Sequence, residues 1–183
     1  MDEAVANADC VVVKWLAVIG TREATSEMHR DVCERIRRAM GDGCGIVTGG
    51  RTGVDTVAMM VSMHYGGALR VYLPIALADY EIRLRERAEQ GKCLPDDAEQ
   101  TIATLHELRL HDASAIVEPD HKRSLTPEAF YARDEHILNV ADTVAAYHLT
   151  GNTTASKLPA GTLLTAERAR EIGKIVEVFE YNT

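Results

Sequence analysis

Three glycines, Gly49, Gly50 and Gly53, stand in the stretch IVTGGRTGVDTVAMM (Ile46 to Met60), where an apolar run gives way abruptly to small and polar residues. Glycine permits positive φ and lets a group lie against the main chain with no Cβ in the way. Between a strand and a helix, such a loop presents backbone N–H groups together with the positive helix end, and that arrangement attracts phosphate. Thr48 and Thr52 offer hydroxyl donors to the same anion, and Arg51 offers a charge. Asp55, at the helix start, would oppose a phosphate and is read as a cap for free N–H groups. The plainer reading of the stretch is a tight strand-to-helix turn with no ligand. Two further loops share the design. IGTRE places Gly20, Thr21 and Arg22 after an apolar run, and AGTLLT places Gly161 and Thr162 at the start of a helical pattern. Three helix entries meeting at one sheet edge would make an anion-binding crevice.

Positioning them requires a particular order of elements. WLAVIG is short, apolar and stopped by glycine, as a buried parallel strand would be. TSEMHRDVCERIRRAM follows, with a Thr25/Ser26 cap, with Met28, Val32, Ile36 and Met40 at helical spacing, and with Gly41 and Gly43 beyond. GIVTGG reads as a strand, VDTVAMMVSMHYGG as a helix, and LRVYLP as a strand closed by Pro74. In the less regular middle, ADYEIRLRERAEQG and PDDAEQTIATLHELRL read as helices and ASAIVE as a strand. TPEAFYARDEHILNVA reads as a helix opened by Thr126 with Pro127 at its first position. DTVAAYHL is a strand, TGNTTASKLPAG a polar loop, TLLTAERAREIG a helix and KIVEVFEY a last strand. The expected fold is α/β: a single Rossmann-like domain, its sheet mostly parallel and of roughly five to seven strands, with helices on both faces.

Composition narrows the class. The 183 residues are 46% hydrophobic, which suits one domain with an ordinary core. The whole chain, 1–183, reads as that domain, its core spanning about residues 15–180. The net charge of -8 repels phosphate polymers and anionic membranes from the surface at large, so nucleic acid would need a local basic pocket. No apolar run approaches the ~18 residues of a membrane span, and MDEAVANADC is acidic where a secretory signal is basic. The chain therefore reads as soluble and cytoplasmic, with no membrane partner. Cys10, Cys33, Cys44 and Cys93 form no CxxC pair and read as reduced thiols. The seven histidines show no metal-binding spacing, and no metal site is expected.

In order, VIGTRE, IVTGGRTGVDTVA, VYLP, YARDEHILNVADTVAAY and AGTLLTAERAREIGKIVEVF resemble the Rossmann-like domain of the DNA-processing protein A (DprA/Smf) family over most of residues 15–180. That family lies within a broader set of similar folds, which includes lysine-decarboxylase-like phosphoribohydrolases and sensors of nucleotide derivatives. The resemblance implies that Gly20, Thr21 and Arg22 line a phosphate end and that Gly49 to Gly53 form the central anion loop. It further implies that Arg133 is the family's helix arginine and that Gly161 and Thr162 close the pocket. Asp134 stands where the family has asparagine, exchanging an amide for an anion beside Arg133. The PGGxGTxxE signature of the cytokinin-releasing enzymes is absent, since PAGTLLTAE places Glu167 five residues after Thr162. Family members often carry an additional winged-helix domain, and none is expected beside the core from this sequence.

Three functions follow. The first is a module that binds a nucleotide or nucleotide derivative, its phosphates on Gly49 to Gly53 and on Gly161 to Thr162; a bound nucleotide would be its one cofactor. The second is a recombination mediator holding single-stranded DNA near Arg22, Arg51, Arg133 and the segment His121 to Arg123, against which the low aromatic content of 5% argues. The third is an N-glycosidic hydrolase using an acid such as Asp134, Glu135 or Glu167, with no catalytic residue assigned. The sequence reading favours the first. Homodimerisation is also expected, through helices such as the one holding the methionine-rich VAMMVSMHY.

Overall fold

The structure is a computed structural model describing residues 13–119, 124–150 and 161–182. Strand β1 (Trp15–Gly20) leads through α1 (Ser26–Gly41) to β2 (Gly45–Thr48), through α2 (Val54–Tyr65) to β3 (Leu69–Tyr72), and through α3 (Leu77–Glu89) and α4 (Pro95–His111) to β4 (Ile116–Val117). Then come α5 (Pro127–Val140), β5 (Thr143–Thr150), α6 (Gly161–Glu171) and β6 (Ile175–Asn182). The six strands pair in the order β4-β3-β2-β1-β5-β6, and every pairing is parallel. The fold is thus the expected α/β Rossmann-like domain.

Strand β1 is central because both of its faces are apolar. Leu16 and Val18 face a core shared with Met28, Val32 and Ile36 of α1, Val57 and Ala58 of α2, and Ile102 and Leu105 of α4. Ala17 and Ile19 face the opposite core, shared with Ile137 and Leu138 of α5 and Ala166 and Ala169 of α6. Helices therefore cover both faces. The chain builds outward from β1 to β4 and then returns to place β5 on the other side of β1, with Leu16 beside both Ile46 and Thr143. That reversal puts the topological switch point at the carboxyl ends of β1 and β5, where sheets of this kind leave a crevice.

Local signals set the helix starts. The Thr25 hydroxyl accepts from the Met28 N–H at 3.2 Å, and the Thr126 hydroxyl accepts from the Ala129 N–H at 3.4 Å, with Pro127 at the first position of α5. ASAIVE departs from expectation: Ala113–Ala115 form a 3-10 turn, and only Ile116 and Val117 pair with β3. The Asp112 carboxylate accepts from both the N–H and the hydroxyl of Ser114, at 3.0 and 2.6 Å, and this local bonding competes with the ladder. In α2, Met59 is core, whereas Met60 is exposed. Cys33, Cys44 and Cys93 are half-buried free thiols. No helix among the described residues is long and apolar enough to cross a membrane. Cys10, the segment His121 to Arg123 and residues 151–160 lie outside the described residues.

Candidate nucleic-acid interface

The loop between β2 and α2 carries its glycines because the protein itself approaches the backbone there. A Cβ on Gly49 would stand 2.7 Å from Arg133 Nη1 and 3.0 Å from Asp55 Oδ2. Gly53 has φ +80°, and a Cβ on it would meet the Arg22 carbonyl carbon at 2.4 Å, so the loop after β1 presses directly upon it. Gly50 has φ +67° and closes against Leu73 and Val71. Gly20 lies under Val54, whose side chain a Cβ would meet at 2.5 Å. Several polar groups read as ligand donors are likewise taken up internally. The Thr48 hydroxyl, fully buried, donates to the Val18 carbonyl at 2.8 Å. The Thr21 N–H donates to the Tyr147 carbonyl at 3.0 Å, and the Thr21 carbonyl accepts from the Val54 N–H at 3.2 Å. Thr52 and Thr162 are buried, and Gly161 is exposed at the first position of α6.

Arg133 ties these parts together. Its residue is only 4% exposed, so its guanidinium must find partners inside the protein. Nη1 donates to the Gly49 carbonyl at 3.1 Å, while Nε and Nη2 donate to Asp134 Oδ1 at 2.9 and 2.5 Å. The guanidinium also lies 5.4 Å from the centre of the Phe130 ring. The Thr165 hydroxyl is 2.9 Å from both Asp134 Oδ2 and the Gly161 carbonyl, and donates to one of them at a time. A chain of polar contacts thereby joins the loop after β2, helix α5 and the first turn of α6. Burial alone would lower the Arg133 pKa, but the charges of Asp134 and Asp55 outweigh it and hold the group above its ordinary value. Asp55 does not cap the start of α2 as the sequence suggested; its Oδ2 accepts instead from the Arg51 N–H, in the loop before the helix, at 3.2 Å. Its burial pushes the carboxyl pKa up, against the opposing pull of Arg51 and Arg133.

Arg22 and Arg51 differ from Arg133 in one respect. Among the described residues, neither forms an ion pair. Arg22 keeps more than a third of its surface in water, yet the protein beside it pushes its pKa down to about 10, first through burial and then through the like charges of Arg51, Arg87 and Arg133. It remains a cation at neutral pH. The Arg51 Nε is buried without a partner. Tyr80, in the first turn of α3, is buried amid Arg133, Arg51, Asp55 and Arg22, and burial raises its phenol pKa. Sequence reading named neither Tyr80 nor Arg87. Their only signal is the stripe of Leu77, Tyr80, Leu84 and Arg87 along α3, which no loop motif marks.

The acids considered for hydrolysis are otherwise engaged or remote. Asp134 holds Arg133, Glu135 accepts from Arg168 Nε at 2.8 Å, and Glu167 is exposed on α6. Of two grooves on the described surface, one of about 800 Å³ runs past His29, Cys33, Met63 and His111, and one of about 440 Å³ past Glu23, Gly53, Leu94 and Asp97. Neither is lined by Arg22, Arg51 or Arg133.

Residues 6–87 match the family model of DNA recombination-mediator protein A. No curated protein matches the chain. The solved structure of DNA processing protein A from Streptococcus pneumoniae is similar with a TM-score of 0.57 at 21% identity, covering 91% of this chain and 50% of its own. DNA processing protein A from Helicobacter pylori, described for its single-stranded DNA binding mode, gives 0.63 at 21% identity, covering 90% of this chain and 64% of its own. The chain therefore spans half to under two thirds of the length of these two proteins. The family match runs from before β1 into α3, under half of the chain, and over most of its length the chain shares the Rossmann-like fold of these two proteins.

Proposed function

We propose that the domain binds single-stranded DNA along the carboxyl edge of its sheet, as a recombination mediator of the DprA type acting in the cytoplasm. The observation that carries this reading is the pairing state of the arginines: Arg133 is neutralised within the fold, whereas Arg22 and Arg51 form no ion pair among the described residues, Arg51 having only the nearby charge of Asp55, which Arg133 shares. Like charges held together with less counter-charge than they need cost stability, and an anion recovers it. Phosphates of a flexible strand can reach such side chains at the surface. The family match and the Helicobacter pylori protein's described ligand support the same reading.

A mononucleotide seated on the loop backbone, the sequence-based preference, has less in its favour. Two of the N–H groups that would cradle its phosphate are occupied, Arg51 by Asp55 and Val54 by the Thr21 carbonyl. The decisive experiment is fluorescence anisotropy of a labelled oligothymidylate across a salt series. Arg22→Ala and Arg51→Ala should each weaken binding and each reduce the log–log salt slope by roughly 0.7, the value for one single-strand phosphate contact. Absence of oligonucleotide binding at low salt, together with a nucleotide found by mass spectrometry of the purified protein, would return the assignment to the nucleotide module. A homodimer belongs to the same proposal, because two such edges would extend the strand contact. Light scattering showing only monomer at high concentration would remove it.

A further inference from the structure

The two surface grooves adjoin, since His29 and Met60 line both. They form one trough along α2, which packs against α1 on one side and α4 on the other. Cys33 of α1 stands in one wall and Glu107 of α4 in the other, while Met60, Val61 and Met63 make the floor. Apolar side chains remain uncovered along its whole length: Leu94 is 65% exposed at one end, Met60 38% in the middle and Tyr65 49% at the other end. A contiguous apolar strip of this kind marks an interaction surface. Methionine is unbranched and polarizable, so this floor can fit itself to an apolar partner. The charges in the trough have one sign. Glu23 and Asp97 lie at the Leu94 end, Glu107 and Asp112 at the Tyr65 end, and no lysine or arginine lines either groove, although the chain has 20 of them. Among the described residues none of these four carboxylates pairs with a lysine or arginine; Glu107 faces only His111, at 3.9 Å, and Asp112 accepts from Ser114.

The geometry points to this trough as the docking site for a basic amphipathic helix of another protein. Helix α2 has 12 residues, so the trough takes about three turns of a helix laid alongside it. Its floor and walls are helical, and β3, which touches one end through Leu69, is already paired on both sides, so a strand finds no edge to join. The partner brings an apolar stripe at i, i+3, i+4 and i+7 to the methionine floor, and lysine or arginine at both ends of that stripe to face the two pairs of carboxylates. Arg22, Arg51 and Arg133 line neither groove, so this surface is separate from the proposed DNA interface and does not depend on it.

The probe is a synthetic helical peptide of about fourteen residues, made of leucine, alanine and lysine, with leucine along one face and lysine at both ends. Two control peptides accompany it. One carries glutamate in place of lysine, and the other has the same composition in an order without an apolar stripe. Calorimetric titration of the full chain should show binding of the first peptide alone. Met60→Lys, which puts a cation on the floor, should weaken that binding about tenfold, and Asp97→Lys and Glu107→Lys should each weaken it roughly three- to tenfold. Glu167→Lys, on α6 at the opposite face of the sheet, should leave it unchanged. Circular dichroism confirms that each variant is folded. No binding of the lysine peptide would overturn the proposal, as would equal binding of either control peptide. A loss at Glu167→Lys as large as that at Glu107→Lys would reduce the effect to attraction by an acidic chain at large. If light scattering shows the parent as a dimer that Met60→Lys dissociates, the occupant is a second copy and the helix of another protein is excluded.

Discussion

Asp134 and Arg133 are neighbours in the chain and partners in space, and their pairing decides what Arg133 can do. With its guanidinium donating to Asp134 and to the Gly49 carbonyl, Arg133 has the role of a strut between α5 and the loop after β2. Removing one member of a buried charge pair leaves the other without a counter-charge, at a cost of about 3–5 kcal/mol. Asp134→Ala should lower the stability measured by urea unfolding by an amount in that range. Asp134→Asn, which restores the residue type of the resembling family, keeps an acceptor and should cost less. Asp55 makes a pH-dependent contribution of definite sign. Its carboxyl pKa is raised by burial, so the folded state binds its proton more tightly than the unfolded chain does. Its contribution is therefore largest at acid pH and is lost as pH rises from the ordinary carboxylate range through the raised value. Urea midpoints of the parent minus those of Asp55→Asn should fall across that window and level off above it; a difference independent of pH would refute the assignment.

The element that looked most like a ligand cradle is also a packing device. Gly53 occupies a φ of +80° with the Arg22 backbone against it, and neither condition tolerates a side chain. Gly53→Ala should therefore destabilise by more than about 1 kcal/mol even where no ligand is present. Gly50→Val meets Leu73 and Val71 and a positive φ as well, so its effect on binding cannot be separated from its effect on the turn. The informative variants at this loop are the arginines, whose removal leaves the backbone unchanged. At the start of α5, the Thr126 hydroxyl caps the Ala129 N–H, and Thr126→Ala should cost about 1 kcal/mol in the same unfolding experiment. Because α5 carries Arg133, that loss should raise local hydrogen exchange at the helix start without altering the salt slope of DNA binding.

At the scale of the whole molecule, a chain of net charge -8 places Arg22 and Arg51 in the loops that follow β1 and β2, at one edge of its sheet. A strand that binds the folded state alone stabilises it by RT ln(1 + [L]/Kd), about 2.7 kcal/mol at a hundredfold excess over Kd. The melting temperature should rise with oligothymidylate at low salt, and the rise should shrink as salt is added; no rise under saturating conditions would count against the interface. The order of elements and the parallel sheet were legible in the sequence, because WLAVIG and GIVTGG are apolar on both faces and the glycine, threonine and proline signals at their flanks act over a few residues. The bond between Gly49 and Arg133 joins a loop that pattern marked to an arginine that only the resemblance marked. The sequence could not tell which groups are already occupied. Thr48 faces the Val18 carbonyl, Asp55 takes the Arg51 N–H, and Asp134 neutralises Arg133, whereas Arg22 and Arg51 gain no such partner among the described residues. Tyr80 is buried near them only once α3 has packed. Local propensity and hydrophobic period determine which elements form; the bonds of Thr48 to Val18 and of Arg133 to Gly49 join residues 30 and 84 positions apart and exist only once those elements pack, and the arginine they fix in place is thereby a structural one.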